Sequence, residues 1–504
     1  MLVGNSQTIQ SQNLAEYNIF YKIPPSFDLF SYFCVNGLGM IIGRETEIKL
    51  LNDAYKSSDA QFVAVYGRRR VGKTYLVREV FADKILFQHA GLANSEKEQQ
   101  MAAWVSSLKD AGSEVQNYPK NWIEAFDLLK SLIKSSKRKK KVIFIDELPW
   151  MDTQHSGFLP ALEFFWNAWA SAQKNIMLIV CGSATSWIIN KLIRNHGGLH
   201  NRVTLRIKLN PFSLRECALY AESRNLKFTQ KQILECYMAL GGIPFYWSFL
   251  KKGKSAVQNI NDLFFAPEGS LNSEFQELYH SLFRYSDPYI KVIKVLGKKR
   301  VGLTRTEIIK AMGIPDNGNL TKVLSDLEYC GFIKRYSKIG SKTKNSLYQL
   351  IDYYTLFYFQ FIDGTPNLSR DYWLRCQTSQ RYSAWSGLAF ERVCFSHFEQ
   401  IKRALGISGV ECACYPWYSS DAQIDMVIDR KDGIMNLCEM KYYKTKFSAD
   451  ADFEEDMLNK MYNLIDMTKT RKAVHLTLVT INGATENQYM NEVQNILNIK
   501  DLFA

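Results

Sequence analysis

Residues 67–74 read Gly-Arg-Arg-Arg-Val-Gly-Lys-Thr and match the phosphate-binding pattern G-x-x-x-x-G-K-[ST]. An apolar run at 62–66 precedes this loop and a helical pattern at 75–81 follows it, which is the context that the motif requires. The glycines let backbone N–H groups converge on phosphate oxygens, and the helix N-terminus adds positive potential. The pattern therefore predicts a strand, a phosphate loop and a helix within a parallel α/β sheet, with ATP as the ligand.

The side chains of this loop predict its individual roles. We expect the ammonium of Lys73 to reach the β- and γ-phosphates and the hydroxyl of Thr74 to bind Mg²⁺. The rest of the loop is expected to contact the nucleotide as part of the same cradle: Gly67, Arg68, Arg69, Arg70, Val71 and Gly72. ATP and Mg²⁺ are the cofactors that these residues predict.

Polar side chains follow two further apolar runs. Asp146 and Glu147 come directly after one run, and Ser183 closely follows the next. Because open α/β sheets bind ligands at the carboxyl ends of their strands, Asp146 is predicted to hold Mg²⁺ and Glu147 to polarise the attacking water. Ser183 is expected either to lie level with the γ-phosphate or only to end its strand. Arg202 is a candidate charge-stabilising arginine that acts in its own subunit, on a neighbouring subunit or only structurally.

The organisation of the chain predicts several domains, since 504 residues are too many for one compact core. Apolar runs alternate with helical patterns up to about residue 210, which is typical of the α/β class with a parallel sheet. Changes in the pattern of apolar and polar residues divide the chain into six segments. They are an irregular extension (1–39), an α/β core (40–210), a helical segment (211–285), a winged-helix pattern (286–352), a helical link (353–384) and a final α/β module (385–504).

Four stretches together resemble the prokaryotic, archaeal-type ATPases of the AAA+ class. They are residues 66–74, 144–150, 181–187 and 241–244. The resemblance extends from about Met40 to the C-terminus. It implies that the α/β core is a P-loop ATPase and that the helical segment is its lid, followed by a winged helix and a C-terminal domain. Because proteins of this class work both as rings and as monomers, a homo-oligomer stays open.

The winged-helix pattern consists of two amphipathic helices, at 303–313 and 319–329, and a hairpin. The loop of the hairpin carries three lysines: Lys338, Lys342 and Lys344. Such a unit can place its second helix in a DNA major groove and its wing on the backbone. It can also serve as a rigid connector between domains, and Asp326 and Glu328 on the second helix weigh against base reading. Both alternatives stay open.

The final module carries a second set of charged residues. One strand-like run contains Asp425, a turn reverses the chain, and the next run contains Glu439 and Lys441. Alternation places Glu439 and Lys441 on one face, and the hairpin can bring Asp425 close to Glu439, giving two carboxylates for a divalent metal. Lys441 could then position or activate a water, and Glu391 offers a third carboxylate from a helix.

This second set resembles the active site of the PD-(D/E)XK nuclease superfamily. Asp425, Glu439 and Lys441 match its Asp…Glu-x-Lys pattern, Glu391 matches its helical acid, and Ile424 stands where the name has proline. The resemblance implies a restriction-endonuclease-like α/β domain that cleaves phosphodiesters with a metal held by Asp425 and Glu439. An acidic strand pair is also common on solvated surfaces, and this fold has catalytically silent forms.

Composition narrows the class of protein. The chain has no continuous apolar run of the ~18–20 residues that span a bilayer, so no membrane partner is expected. Its ten cysteines contain no Cys-x-x-Cys pair, which predicts reduced thiols in the cytoplasm rather than a zinc site. The net charge of +13 permits DNA as a partner without requiring it.

Two functions follow from these patterns. In the first, Mg²⁺-dependent ATP hydrolysis controls a C-terminal, nuclease-like domain that interacts with DNA. In the second, the chain is a nucleotide-dependent switch or assembly protein whose C-terminal domain binds a partner and is catalytically silent.

Overall fold

The computed structural model describes residues 41–194, 197–283, 285–299, 301–336, 346–365 and 369–504. The predicted N-terminal extension lies outside the described residues, as do the three lysines of the predicted wing, Lys338, Lys342 and Lys344. The chain divides into two units, Met1–Ile41 and Ile42–Ala504, and every element below belongs to the second unit.

A five-stranded sheet forms the centre of the N-terminal half. Its strands are β1 (Gln61–Tyr66), β2 (Ile85–Ala90), β3 (Lys141–Asp146), β4 (Ile176–Gly182) and β5 (Leu205–Lys208). They lie in the order β2-β3-β4-β1-β5, and every pairing is parallel. Strands β1, β3 and β4 are buried, which explains why their sequences are continuous apolar runs. The predicted parallel α/β sheet is confirmed.

Helices connect and flank these strands. They are α1 (Glu45–Lys56), α2 (Lys73–Phe81), α3 (Lys97–Asp110), α4 (Trp122–Ser135), α5 (Phe158–Ala168) and the short α6 (Thr185–Trp187), which continues into a π-helix (Ile188–Ile193). Aromatic side chains of α3 and α4 pack edge to face, with 5.5 Å between the ring centroids of Trp104 and Trp122. This packing fixes the helices on one face of the sheet.

A helical segment follows the sheet. Its helices are α7 (Leu214–Ser223), α8 (Gln230–Leu240), α9 (Pro244–Trp247), α10 (Ala256–Phe264), α11 (Glu274–Leu282) and α12 (Asp287–Gly297). Capping boxes at Ser213, Thr229 and Ser255 explain where three of these helices begin. In the turn between α8 and α9, the carbonyl of Gly242 accepts a 2.6 Å hydrogen bond from the N–H of Phe212.

The next elements follow the order predicted for a winged helix. They are β6 (Leu303–Thr304), α13 (Arg305–Met312), α14 (Gly318–Tyr329), β7 (Ile333–Tyr336) and β8 (Leu347–Leu350). The strands form an antiparallel sheet in the order β6-β8-β7. Because the loop between β7 and β8 lies outside the described residues, the winged helix stays a prediction.

The C-terminal part contains the helices α15 (Tyr353–Phe361), α16 (Tyr372–Cys376), α17 (Gln380–Ser396), α18 (Phe398–Ala404), α19 (Ala451–Thr468) and α20 (Ile499–Leu502). Its strands are β9 (Cys412–Tyr418), β10 (Gln423–Arg430), β11 (Ile434–Lys441), β12 (Ala473–Thr480) and β13 (Val493–Leu497). They form one sheet in the order β13-β12-β11-β10-β9, antiparallel from β9 to β11 and parallel from β11 to β13. A C-terminal α/β sheet is therefore present, and its relation to nucleases stays a prediction.

Two expectations from composition can be compared with this part of the chain. Within the described ranges, no helix combines the length and the apolar character needed to cross a membrane. The cysteines in these ranges are free thiols, as the scattered spacing predicts.

Candidate functional site

The phosphate loop lies between the end of β1 and the first residue of α2, Lys73. Gly72 caps α2 with a φ of 91°, a conformation that favours glycine. Gly67 packs so closely on the backbone of Leu209 that a Cβ would lie 2.3 Å from its carbonyl oxygen. The buried Lys73 donates from Nζ to the carbonyl oxygens of Gly67 (3.1 Å) and Arg68 (3.0 Å). Its ammonium is therefore held by backbone carbonyls of the loop that the sequence predicts to bind phosphate.

The predicted Mg²⁺ ligands are adjacent. Thr74 donates from Oγ1 to Oδ2 of Asp146 at 2.6 Å, and the other oxygen of Asp146 accepts from the N–H of Glu147 at 2.9 Å. Burial raises the pKa of Asp146, and it lowers the pKa of Lys73. A hydroxyl and a carboxylate at this separation suit Mg²⁺, which binds one or two carboxylates together with substrate phosphates. These residues would hold the ion between the strand edge and the phosphate loop.

Glu147 is held by the neighbouring strand. It adopts a left-handed backbone with a φ of 45°, directly after the end of β3. Its carboxylate accepts from Oγ of Ser183 at 2.8 Å and from the N–H of Ser183 at 3.1 Å. Because β3 and β4 are parallel neighbours, their carboxyl ends bring these two residues together. Ser183 therefore orients the Glu147 carboxylate in addition to ending its strand.

The arginines of the phosphate loop differ in their surroundings. The Arg68 guanidinium forms a buried ion pair with Asp352, and that of Arg70 pairs with Glu274. Arg69 is partly exposed, and the side chain of Val71 is buried. Because carboxylates occupy the guanidinium groups of Arg68 and Arg70, these two residues would contact a nucleotide through their backbone N–H groups. The sequence analysis predicted neither carboxylate partner.

Arg202 lies in the turn that precedes β5, and its side chain is exposed. The turn is closed by a hydrogen bond from the N–H of Arg202 to the carbonyl of Leu199 at 3.1 Å. A charge-stabilising role for this guanidinium stays a prediction.

The second predicted set lies on the antiparallel strands β10 and β11. Asp425 and Glu439 are buried, and Lys441 donates from Nζ to Oε1 of Glu439 at 2.8 Å. Oδ2 of Asp425 accepts from the N–H of Met440 at 2.9 Å, which ties its carboxylate to the neighbouring strand. The hairpin thus brings the three residues of the predicted pattern to one place on the sheet.

Lys460 is a residue of this cluster that the sequence analysis missed. It donates from Nζ to Oε2 of Glu439 at 3.0 Å and to Asp456 at 2.7 Å. Although burial opposes its charged form, contact with Glu439 raises the pKa of Lys460. The buried side chains of α19 are Phe453, Met457, Lys460 and Leu464. A lysine at a core position of this amphipathic pattern is the signal that could have identified it.

The number and arrangement of carboxylates in this cluster determine whether it can bind a metal. Glu391 is buried on α17. Burial of the Cys394 thiol and the negative charges of Glu391 and Asp425 raise the pKa of that thiol, so both carboxylates lie near its sulfur. In the part of the chain that the structure describes, no group of three or more His, Cys, Asp or Glu side chains is arranged to hold a metal. Asp425 and Glu439 alone supply two carboxylates, a number that suffices for Mg²⁺ when substrate phosphate and water complete its coordination.

Helix α14 packs against the N-terminal half. Tyr329 accepts from Nη1 of Arg194 at 3.0 Å, and α14 contacts α6. Asp326, which the sequence analysis placed among charges that oppose DNA, is buried and accepts from the hydroxyl of Tyr289 at 2.7 Å. The expectation that the charge of Asp326 opposes base reading by α14 was wrong, because this charge faces α12 rather than the exposed side of the helix. The C-terminal half of α14 serves as a contact between segments.

Comparisons with known proteins agree with the nucleotide site. Residues 41–248 match a family model described as an ATPase domain predominantly from Archaea. An uncharacterized protein of Methanocaldococcus jannaschii is 23% identical in an alignment of 403 residues that covers 77% of this chain and 84% of that protein. An uncharacterized ATP-binding protein of the same organism is 35% identical over 48 residues, which are 10% of this chain and 81% of that protein.

Among solved structures, a Walker-type ATPase of Pyrococcus abyssi is similar over 63% of this chain and 95% of its own, with 18% identity and a TM-score of 0.47. Together, the family match at residues 41–248 and the geometry of the phosphate loop identify an archaeal-type, nucleotide-binding ATPase domain in this chain.

Proposed function

We propose that this chain is an ATP hydrolase whose nucleotide cycle controls a metal-dependent nuclease site in its C-terminal module. One observation carries the first half of the proposal. Lys73, the pair of Thr74 and Asp146, and the pair of Glu147 and Ser183 lie together at the carboxyl edge of β1, β3 and β4. Lys73 would bind the β- and γ-phosphates, and Glu147 would accept a proton from the attacking water. A Mg²⁺ held by Thr74 and Asp146 would neutralise charge on the phosphates.

Arg202 has a proposed role in the same reaction. Its exposed guanidinium would stabilise charge on the γ-phosphate, within its own subunit or in a neighbour of a homo-oligomer. Mixing Lys73→Ala with Arg202→Ala distinguishes these possibilities, because each inactive variant contains what the other lacks. ATPase activity recovered on mixing would place the arginine in a neighbouring subunit, and no recovery would leave it in its own.

The nuclease half of the proposal is supported by the cluster of Asp425, Glu439 and Lys441. Two buried carboxylates and an ammonium at 2.8 Å are suited to binding a divalent ion and a phosphodiester. A bound metal would polarise the scissile phosphate and activate water. Lys441 would orient that water or the phosphate, and Glu391 would support the site from α17.

DNA is the proposed substrate. The exposed side of α14 near its N-terminus carries Asn319, Thr321 and Lys322, which could contact a DNA backbone or base edges. The contact of Tyr329 with Arg194 supports a connector role for the other end of the same helix. The two roles are compatible, since they use opposite ends of α14.

A second candidate function is a nucleotide-dependent switch with a silent C-terminal binding domain. The favouring observation is that both oxygens of Glu439 accept from lysine ammonium groups, Lys441 and Lys460. Two positive charges then compensate the carboxylate in the place where a metal would do so. Such a site could bind phosphate-rich partners without cutting them.

Cleavage of supercoiled plasmid tests the two candidates. Wild type, Lys73→Ala and Asp425→Asn would be incubated with Mg²⁺ or Mn²⁺, with and without ATP, beside the control Asp432→Asn, which changes a more exposed carboxylate near the β10–β11 turn. Cutting that is lost in Asp425→Asn and retained in Asp432→Asn would support the nuclease, and its loss in Lys73→Ala would support nucleotide control. ATP hydrolysis without cutting in any variant would favour the switch.

A further inference from the structure

We propose that Asp352 and Glu274 are positioning residues for the nucleotide: through Arg68 and Arg70 they hold the phosphate loop, and they thereby couple nucleotide binding to α15 and α11. The proposal rests on the proposed ATP site and adds to it a regulatory connection with the C-terminal half. The two ion pairs are independent observations, since they involve different arginines and different helices.

The first connection joins Arg68 to the start of α15. Asp352 pairs with the guanidinium through Oδ1, while its Oδ2 caps α15 by accepting from the N–H and the hydroxyl of Thr355 at 3.0 and 2.5 Å. Both charged side chains are buried, and the guanidinium carbon lies 4.7 Å from the ring centroid of Phe332. One carboxylate thus fixes both the first turn of a helix and a side chain of the phosphate loop.

Arg68 also connects directly to the phosphate-binding lysine. Its carbonyl oxygen accepts from Nζ of Lys73 at 3.0 Å, so the residue that Asp352 holds is also one that holds the ammonium. Any shift of Arg68 caused by loss of Asp352 would move this carbonyl.

The second connection joins Arg70 to α11. Arg70 has a φ of 70°, a left-handed conformation that a side chain other than glycine adopts only when its surroundings enforce it. Its guanidinium pairs with the buried Glu274 and lies 4.3 Å from the ring centroid of Phe245. Oε1 of Glu274 also accepts from the hydroxyl of Tyr246 at 2.9 Å. Helices α9 and α11 together therefore enforce the shape of the loop at this residue.

The surroundings of Arg68 indicate that its ion pair with Asp352 does more than stabilise the fold. Its Nε and Nη2 are buried without a hydrogen-bond partner in the part of the chain that the structure describes, which is costly for a guanidinium. Arg68 and Asp352 also line a cavity of about 710 Å³, and its lining includes the connection from β5 to α7, the α8–α9 turn, β7 and the ends of α14 and α17. Close-packed interiors resist rearrangement, whereas a cavity of this size leaves room for the pair to move.

Linkage makes the connection reciprocal. If the pairing of Arg68 with Asp352 raises ATP affinity, ATP must stabilise that pairing by the same factor. Bound nucleotide should therefore slow amide exchange in α15, which makes no contact of its own with the predicted phosphates. If the ion pair only stabilised the fold, nucleotide would not change amide hydrogen exchange in α15. This measurement therefore distinguishes coupling from a purely structural role.

The test compares full-length wild type with the double variant Arg68→Met/Asp352→Asn. The double variant removes both buried charges, so that none is left unpaired, and asparagine keeps the cap of α15. The control is Asp262→Asn, which removes a more exposed ion pair with Lys254 in the helical segment. Three quantities are measured for each protein. They are the melting temperature without nucleotide, the affinity for a fluorescent ATP analogue in the presence of Mg²⁺, and hydrogen exchange with and without that analogue.

We expect the double variant to melt near wild type, to bind the analogue about 5-fold more weakly or worse, and to lose nucleotide-dependent protection of α15 while keeping that of α2. Affinity and α15 protection like those of wild type in a folded double variant would overturn the proposal. If the double variant does not fold, Glu274→Gln decides on the same readouts at α11, since glutamine can still accept from Tyr246. A wild type that binds no ATP would refute the proposed function, which separates that failure from a failure of coupling.

Discussion

Replacing Ser183 with alanine tests whether the neighbouring strand positions Glu147, the carboxylate that we propose activates water. In the structure, Glu147 accepts from both the hydroxyl and the backbone N–H of Ser183. The alanine variant removes the hydroxyl and leaves the backbone donor in place. We expect kcat for ATP hydrolysis to fall while KM for ATP changes little, because the lost contact orients the attacking water rather than the phosphates.

The size of the effect follows from the type of hydrogen bond. A hydrogen bond to a charged group contributes about 1.5–3 kcal/mol. Because the N–H of residue 183 still donates to Glu147 at 3.1 Å, we take the lower part of that range, about 1.5–2 kcal/mol. This corresponds to a decrease in kcat of roughly 10- to 30-fold.

Steady-state phosphate release at saturating Mg²⁺ and ATP measures the effect, together with Glu147→Gln and Ser131→Ala. Ser131 is an exposed serine of α4, so its variant controls for the substitution itself. In the Glu147→Gln background, removal of the Ser183 hydroxyl should have little further effect, because the two residues act as one unit. An unchanged or increased kcat in Ser183→Ala, or a change confined to KM, would refute the orienting role.

Four further substitutions test the effects of burial and close contact. Asp146→Asn should abolish Mg²⁺-dependent hydrolysis yet raise the melting temperature of the nucleotide-free protein at pH 7, because burial raises the pKa of Asp146 and makes its ionised form costly in the fold; thermal melts at pH 7 check this. Burial lowers the pKa of His397 to about 4, so the unfolded chain takes up its proton first and stability should fall as pH drops from 6.5 towards 4; urea denaturation should show a shallower pH dependence in His397→Gln. Gly242→Ala should destabilise the fold by more than about 3 kcal/mol, because its Cβ would lie 1.9 Å from the carbonyl oxygen of Phe212. In contrast, Gly387→Ala, which meets nothing within 4 Å on α17, should be neutral or stabilising in the same denaturation assay.

The nucleotide site could be predicted from sequence because its chemistry is local. The loop from Gly67 to Thr74 carries its own glycines, lysine and hydroxyl, and the flanking apolar and helical patterns determine where the loop lies. The parallel sheet then brings Asp146 to the same edge by a general rule of α/β folds. In the same way, the short hairpin from Asp425 to Glu439 could be anticipated, since few residues separate its strands.

The partners of these residues could not be predicted, because they come from distant parts of the chain. Asp352 is 284 positions from Arg68, and no local pattern connects a helix cap with a phosphate loop. Lys460 reaches Glu439 from a helix that must first pack on the sheet. Asp326 was misjudged for the same reason: periodicity places it on a helix, but only the packing of α12 shows that Tyr289 binds it.

The two candidate sites are joined by contiguous contacts through α15. Asp352 caps this helix and holds Arg68, and the next residue, Tyr353, contacts Oγ of Ser396 with its hydroxyl at 2.7 Å. Ser396 ends α17, the helix that carries Glu391. Nucleotide control of the C-terminal module would need a connection of this kind. A continuous chain of contacts shows coupling only when both sites change the equilibrium of one shared element. If α15 is that element, the variant Arg68→Met/Asp352→Asn should cut DNA equally well with and without ATP, whereas wild type should respond to the nucleotide.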